Sequence, residues 1–149
     1  MFYMLLYMGV ICMAKILKVC LLKMLKCIYY KGRCRTYMNI DIYEPSKGGY
    51  EAIHSFESWR VAYLRYAEKF DKIAYLERHM ETDEIFVLLE GNAELIINEN
   101  AEHIKMEKNK VYNVRKQVWH NIRVSEDALV LIVENDDTCR ENTEYMTFK

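Results

Sequence analysis

The stretch IAYLERHMETDEIFVLLEG, residues 73–91, decides how the rest of the chain is read. In an extended strand successive side chains point to opposite faces. A strand over Ile73–His79 therefore puts Ile73, Tyr75, Glu77 and His79 on one face. A second apolar run, Glu84–Glu90, begins on a carboxylate and stops at Gly91. If Ile73 faces a core, Glu77 and His79 face it too. A carboxylate and an imidazole on an inner face are costly to bury unless they are paired or bind a metal ion. The stretch thus predicts β structure and a chemically loaded interior together.

The same pattern runs outward from there. Short apolar runs predict strands at Trp59–Tyr66, Ile73–His79, Glu84–Glu90, Ala93–Asn98, His103–Met106, Val111–Val114, His120–Val124 and Ala128–Glu134. Polar breaks of the expected type separate them: Gly91-Asn92, Asn98-Glu99-Asn100, Lys108-Asn109 and Ser125-Glu126-Asp127. No run is long and helically periodic. Regularly spaced short strands mean a sandwich or a barrel, and closure into a barrel removes the exposed edges of strands this apolar. A length of 149 residues allows one domain of ordinary size. With 52% apolar and 29% charged residues the chain has the means to build a core and is not a disordered one. It holds only 1 Pro and 5 Gly, so its turns are expected to rely on Asn, Asp and Ser.

Residues 1–37 are of different material. They carry seven bases and no acid, which leaves 14 bases against 22 acids in 38–149. Met1–Ala14 is an uncharged apolar run, shorter than the roughly 20 residues a bilayer span needs. The lysines that follow, at 15, 18, 23 and 26, fall within one broad arc of a helix, so the extension is expected to be a basic apolar amphipathic helix. Its charges follow the apolar run, unlike those of a signal peptide. A helix of this kind suits an anionic membrane surface, and membrane contact is expected only if residues 1–37 are part of the protein. The expectation preferred here is that translation starts at Met38 and that the domain spans 38–149. Cys12, Cys20, Cys27 and Cys34 are spaced for one helix stripe and not for paired zinc knuckles. Cys139 stands alone in the body, which points to a reducing, cytoplasmic compartment. The acidic body excludes general nucleic-acid binding, which needs a basic surface.

A third unit, VYNVRKQVWHN over residues 111–121, brings His120 to the start of another strand after a tight turn. At this point the chain resembles the cupin family. The first cupin motif falls on Glu77, His79, Glu84 and Gly91, and the second on Asn109, Arg115, Gln117 and His120. The spacing matches over about 60 to 135, while Glu77 replaces a histidine, Asn109 and Gln117 replace glycines, and Arg115 replaces a proline. The resemblance implies an all-β, single-domain cupin-type β-barrel (jelly roll) and a divalent metal held by Glu77, His79, Glu84 and His120. Two nitrogens and two oxygens suit Fe(II), Mn(II), Ni(II) or Zn(II). The bland alternative is that the two histidines are ordinary hydrogen-bonded interior residues.

Parts of the chain also resemble ureidoglycolate lyase, a cupin-like enzyme that releases urea and glyoxylate: Leu76–His79, Val111–His120 and Glu134–Cys139. That resemblance implies Glu77, His79 and His120 as groups that position substrate and move protons, with Arg78 or Arg115 on a substrate carboxylate if either faces the cavity. Tyr75 shares the inner face with Glu77 and is a further candidate proton donor. Glu81 is a spare ligand in the hairpin, and Asp83 is expected to be solvated. Trp59 and Trp119 are expected to pack at the barrel mouth, and His54 and His103 to be exposed. The function expected is that of a small domain that binds a metal and acts on, or binds, a small oxygenated metabolite. A non-catalytic small-molecule or sugar-binding module remains the alternative class. The run WRVAYLRY, residues 59–66, is apolar on both faces, and a homodimer is expected from it.

Overall fold

The computed structural model describes residues 34–37, 39–45 and 47–147. The chain divides after Tyr43. On the N-terminal side, β1 (Cys34–Tyr37) and β2 (Ile40–Tyr43) form an antiparallel hairpin, with Cys34 opposite Tyr43. The helix expected over the lysines at 15 to 26 lies outside the described residues, as do Met38, Cys12, Cys20 and Cys27. Cys34 opens a strand, so the helical stripe expected to run through it does not reach that far.

From Glu44 on, the chain is built of β3 (Gly49–Phe56), β4 (Trp59–Arg65), β5 (Tyr75–His79), β6 (Glu84–Glu90), β7 (Ala93–Ile97), β8 (Glu102–Lys105), β9 (Val111–Val114), β10 (His120–Val124), β11 (Leu129–Asn135) and β12 (Thr143–Thr147). Two short 3-10 turns, Glu68–Phe70 and Arg140–Asn142, join them. All eight strands predicted from residue 59 on are present, shifted by two residues at most. Strands β1, β2, β3 and β12 were not expected. The reason is legible in β12, TEYMT, where only Thr143 is buried and no apolar alternation announces a strand.

The strands make two five-stranded antiparallel sheets, ordered β12-β5-β10-β7-β8 and β3-β4-β11-β6-β9. Their facing sides share one core, with Leu95, Ile122 and Val124 from the first sheet and Leu64, Phe86, Leu88 and Val130 from the second. Strand β6 shows why the alternation works: Glu84, Phe86 and Leu88 are buried while Ile85, Val87 and Leu89 between them are half-exposed. Full burial of a side chain such as Phe86 or Leu88 is worth about 1.5–3 kcal/mol.

The expected closure into a barrel is not found. Among the described residues the two sheets do not hydrogen-bond into a ring, and β12, β8, β3 and β9 are their edges. Edge β8, EHIK, is short, charged and exposed along its whole length, which discourages pairing with another chain. The turns rely on Asn, Asp and Ser as expected, with Ser58, Asn98, Asn100, Asn109, Asp127, Asp136 and Asp137 in turn positions. Left-handed backbone occurs at Glu57, Asn98, Ala101, Asn109 and Gln117 as well as at Gly49 and Gly91. Asn fills two of those non-glycine positions, and Asp and Ser fill none. Among the described residues no helix is long and apolar enough to cross a membrane.

Candidate functional site

The inner face of β5 runs Tyr75, Glu77, His79, as strand period requires. Its neighbours in the first sheet add to the same face: His120 of β10 is the register partner of Glu77, while Tyr145 and Thr143 of β12 lie opposite Glu77 and His79. The facing sheet contributes Glu84 at the start of β6 and Glu134 near the end of β11. These side chains surround a cavity of about 290 Å³ between the sheets.

At its base the polar groups form one connected set. One carboxylate oxygen of Glu84, Oε2, lies 3.1 Å from His79 Nε2 and 2.8 Å from His120 Nε2. The second nitrogens are held as well. His120 Nδ1 donates to the carbonyl of Val118 at 2.9 Å, and His79 Nδ1 is 2.9 Å from Thr143 Oγ1. The two rings meet at 69° with centroids 5.4 Å apart, and Phe86 lies edge-on to His120. His79, Glu84 and His120 are only 7%, 6% and 2% exposed.

The electrostatics follow from that burial. Burial alone would raise the Glu84 carboxyl, but hydrogen bonds and charge from His120 and His79 outweigh it and hold its pKa down to about 2. Burial pushes the His120 imidazole down, and the Glu84 carboxylate beside it reverses this, leaving it above its ordinary value. Glu77 is pushed up, first by burial and then by the charge of Glu84.

Whether these residues suit a metal is a question of donor chemistry. One ligand atom from each of Glu77, His79 and His120 lies within 4.8 Å of the others, and the same holds for His79, Glu84 and Glu134. Bonds of about 2.0–2.2 Å to a shared ion hold ligand atoms roughly 3–4 Å apart, so the spacing fits. With Nδ1 of His120 committed to a carbonyl, its neutral form keeps the Nε2 lone pair free, which is how outer partners orient ligating histidines.

All four residues expected from the motifs, Glu77, His79, Glu84 and His120, are thus brought together. Glu134 was missed. It is 6% exposed, and its Oε1 accepts from Tyr50 Oη at 2.5 Å and from Arg60 at 3.1 and 2.9 Å. Burial, the charge of Glu134 and its hydrogen bond push the Tyr50 phenol up. Sequence parity held the signal: Arg60 shares a face with Ala62 and Leu64, and Glu134 is its register partner.

Other expectations resolve differently. Tyr75 lines the cavity at its rim. Glu81 is exposed and stays outside the cluster. Arg78 does not face the cavity: it stacks 4.4 Å from the Trp119 ring centroid and pairs with Glu144. Arg115 is exposed, and Arg60 and Arg140 line the cavity in their stead. Trp119 and Trp59 are not among its lining residues; Trp59 stacks with Phe56 and His54. His54 is half-buried, and His103 is exposed beside Glu94. Asp83, though exposed, accepts from Asn113 Nδ2 and the Lys116 amide, both at 2.9 Å. Those bonds hold its carboxyl below the usual range.

No known family's sequence profile matches the chain, and no curated protein does. Solved structures do. Pac13 of Streptomyces, described as a unique nucleoside dehydratase and also solved with uridine, superposes with a TM-score of 0.55 at 8% identity, over 78% of this chain and 85% of that one. A cupin-2 domain protein from Shewanella frigidimarina gives 0.49 at 18% identity, over 58% of this chain and 79% of that one. KdgF from Halomonas gives 0.47 at 14%, over 60% and 78%. At 8% identity the likeness to Pac13 is one of fold alone.

Proposed function

We propose that this chain, a small domain of the cupin fold, holds a divalent transition-metal ion through His79, His120, Glu84 and Glu77 and presents it to a small oxygenated metabolite in the cavity. The observation that carries the reading is the convergence of two imidazole Nε2 atoms on one Glu84 oxygen, at 3.1 and 2.8 Å, with both Nδ1 atoms already engaged. Such a set is arranged to share one cation, either a proton or a metal. A bound ion of this class supplies a Lewis-acid contact to a ligand oxygen. The chain's own residues do the remainder. Glu77, with its raised proton affinity, is suited to hold a proton near the bound molecule. The Tyr50–Glu134–Arg60 group fixes the opposite wall. The space beside these groups supports a binding or catalytic role over a purely structural one.

The test is the metal content of the wild type and of His120→Ala, each measured beside its unfolding midpoint. The proposal expects stoichiometric metal in the wild type and its loss in the variant with the fold kept. A wild type that takes up no divalent ion under any supplement overturns it.

Three further elements belong to this proposal. Among the described residues, those lining the cavity all lie beyond Glu44, which supports a site carried within 38–149. An outer apolar face that includes Phe56, Trp59 and Val111, exposed by 56%, 40% and 67%, supports a homodimer, to be checked by sedimentation at tens of micromolar (about the range where a modest interface saturates). The free, exposed thiol of Cys139 is consistent with a reducing, cytoplasmic setting, and the acidic body with a partner other than nucleic acid.

A further inference from the structure

The cavity changes character along its length. On the inner face of β5, Tyr75 is 37% exposed, Glu77 is half-buried and His79 is 7% exposed, so the strand runs from rim to base. Two residues of strand advance roughly 6.6 Å, which is about the length of a six-membered ring with one substituent. At the rim Tyr75 meets Tyr145 edge to face, with ring centroids 5.5 Å apart. Phe70 adds a third ring, and Lys69 Nζ lies 4.7 Å from its centroid. Arg140, in the 3-10 turn that leads into β12, lines the cavity as well, and its charge acts on both tyrosines.

The cations of the cavity are not equivalent. Arg60 is committed to Glu134. Lys69 and Arg140 form neither a hydrogen bond nor an ion pair among the described residues. The base, in contrast, holds Glu77, Glu84 and Glu134, three carboxyl groups around two imidazoles. An anion entering this cavity is drawn to the rim and repelled at the base, while an aromatic face at the rim favours a ring.

We propose that the cavity takes a small ring-bearing carboxylate, with its carboxylate on Arg140 and Lys69, its ring against Tyr75 and Tyr145, and a neutral oxygen directed to the His79–His120 end. The size agrees: about 290 Å³ is at the small end of ligand sites, which begin near 300 Å³. The inner oxygen's role rests on the metal reading above; the recognition of charge and ring at the rim does not.

The experiment titrates the full chain with 4-hydroxybenzoate, 4-hydroxybenzamide and 4-hydroxybutanoate by calorimetry, both metal-loaded and after chelator treatment, with metal content measured separately. The acid is expected to bind at least about tenfold more tightly than its amide, whose charge is removed, and than the acyclic acid. Arg140→Gln and Lys69→Gln are each expected to weaken the acid and leave the amide unchanged, without altering metal content. The charge preference is expected to survive chelator treatment, so loss of the metal alone counts against the metal reading and not against this one. Equal binding of acid and amide, no binding of the acid, or unchanged acid affinity in both variants overturns the proposal.

Discussion

Two segments build the base of the site, and they treat glycine in opposite ways. The segment β5–β6, which crosses from one sheet to the other and does not form the hairpin expected there, supplies Glu77, His79 and Glu84 and ends on Gly91, at φ +66°, where an added Cβ would lie 2.6 Å from the Ala128 backbone. The segment from Asn109 through β9 to β10 supplies His120 and has Asn109 and Gln117 where the resemblance led one to expect glycines. Both are left-handed nonetheless, at φ 62° and 68°. Gln117 is the third residue of a turn closed by the Val118 amide on the Arg115 carbonyl, and its own amide donates to the His79 carbonyl at 2.7 Å. The fold therefore requires a backbone conformation at these positions. It requires glycine only where a neighbouring backbone leaves no room for Cβ.

The largest effect that can break this comparison is at Gly91. Gly91→Ala meets both a left-handed φ and the Ala128 backbone, and it is expected to cost about 3 kcal/mol or more. Urea unfolding checks this; a loss below about 1 kcal/mol would put Gly91 in the same class as Asn109 and Gln117.

Next comes Glu84, the group on which both segments converge. Glu84→Gln removes the charge that serves His79 and His120 and is expected to lower stability of the chelator-treated protein by about 2–3 kcal/mol, and to lower metal content as well. The wild type tests the same contact through pH. Glu84 has a folded pKa of about 2, below its ordinary 4.5, so its contribution is full above 4.5 and is lost as pH falls toward 2. His120 is raised above 6.5, so its contribution is full below 6.5 and is lost as pH rises through the raised value. Glu77, also raised, adds to the decline on the alkaline side. Unfolding midpoints of chelator-treated protein should therefore peak in mildly acidic solution. Metal binding should strengthen in the other direction, because imidazole must be neutral to coordinate.

Smaller effects sharpen the comparison. Asp83 ties the two segments together through Asn113 and Lys116; Asp83→Ala should cost about 0.5–1 kcal/mol, as befits exposed bonds, with metal content retained. Gln117→Gly relieves a left-handed side chain and should raise stability by up to about 1 kcal/mol, less at Asn109, since Asn tolerates that region. Unfolding midpoints measured side by side decide the order.

Much of this was legible in the sequence. The eight strands from residue 59 on follow from alternation, and Glu77, His79, Glu84 and His120 follow from parity and motif spacing. What was not legible depends on pairing between distant segments. Glu134 and Arg60 look like surface residues until β4 and β11 are placed in register, with a sequence separation of 74 residues. Arg78 and Arg140 show the same limit: the motif-borne arginine lies outside the cavity, and Arg140, which lines it together with Arg60, comes from a short turn beside β12, an edge strand without an apolar pattern. The open edges were missed because apolar strands suggest closure, whereas β8 is short and charged enough to stand exposed.

The most direct test of the central claim is X-ray absorption at the metal edge on the full chain, loaded with one equivalent of Mn(II), Ni(II) or Zn(II). Two imidazoles converging on the Glu84 carboxylate, with Glu77 beside them, predict a mixed nitrogen and oxygen shell with the scattering signature of two histidine rings in the wild type, and loss of that shell with the metal in His120→Ala. A shell without imidazole, or one unchanged by that substitution, would contradict the site described.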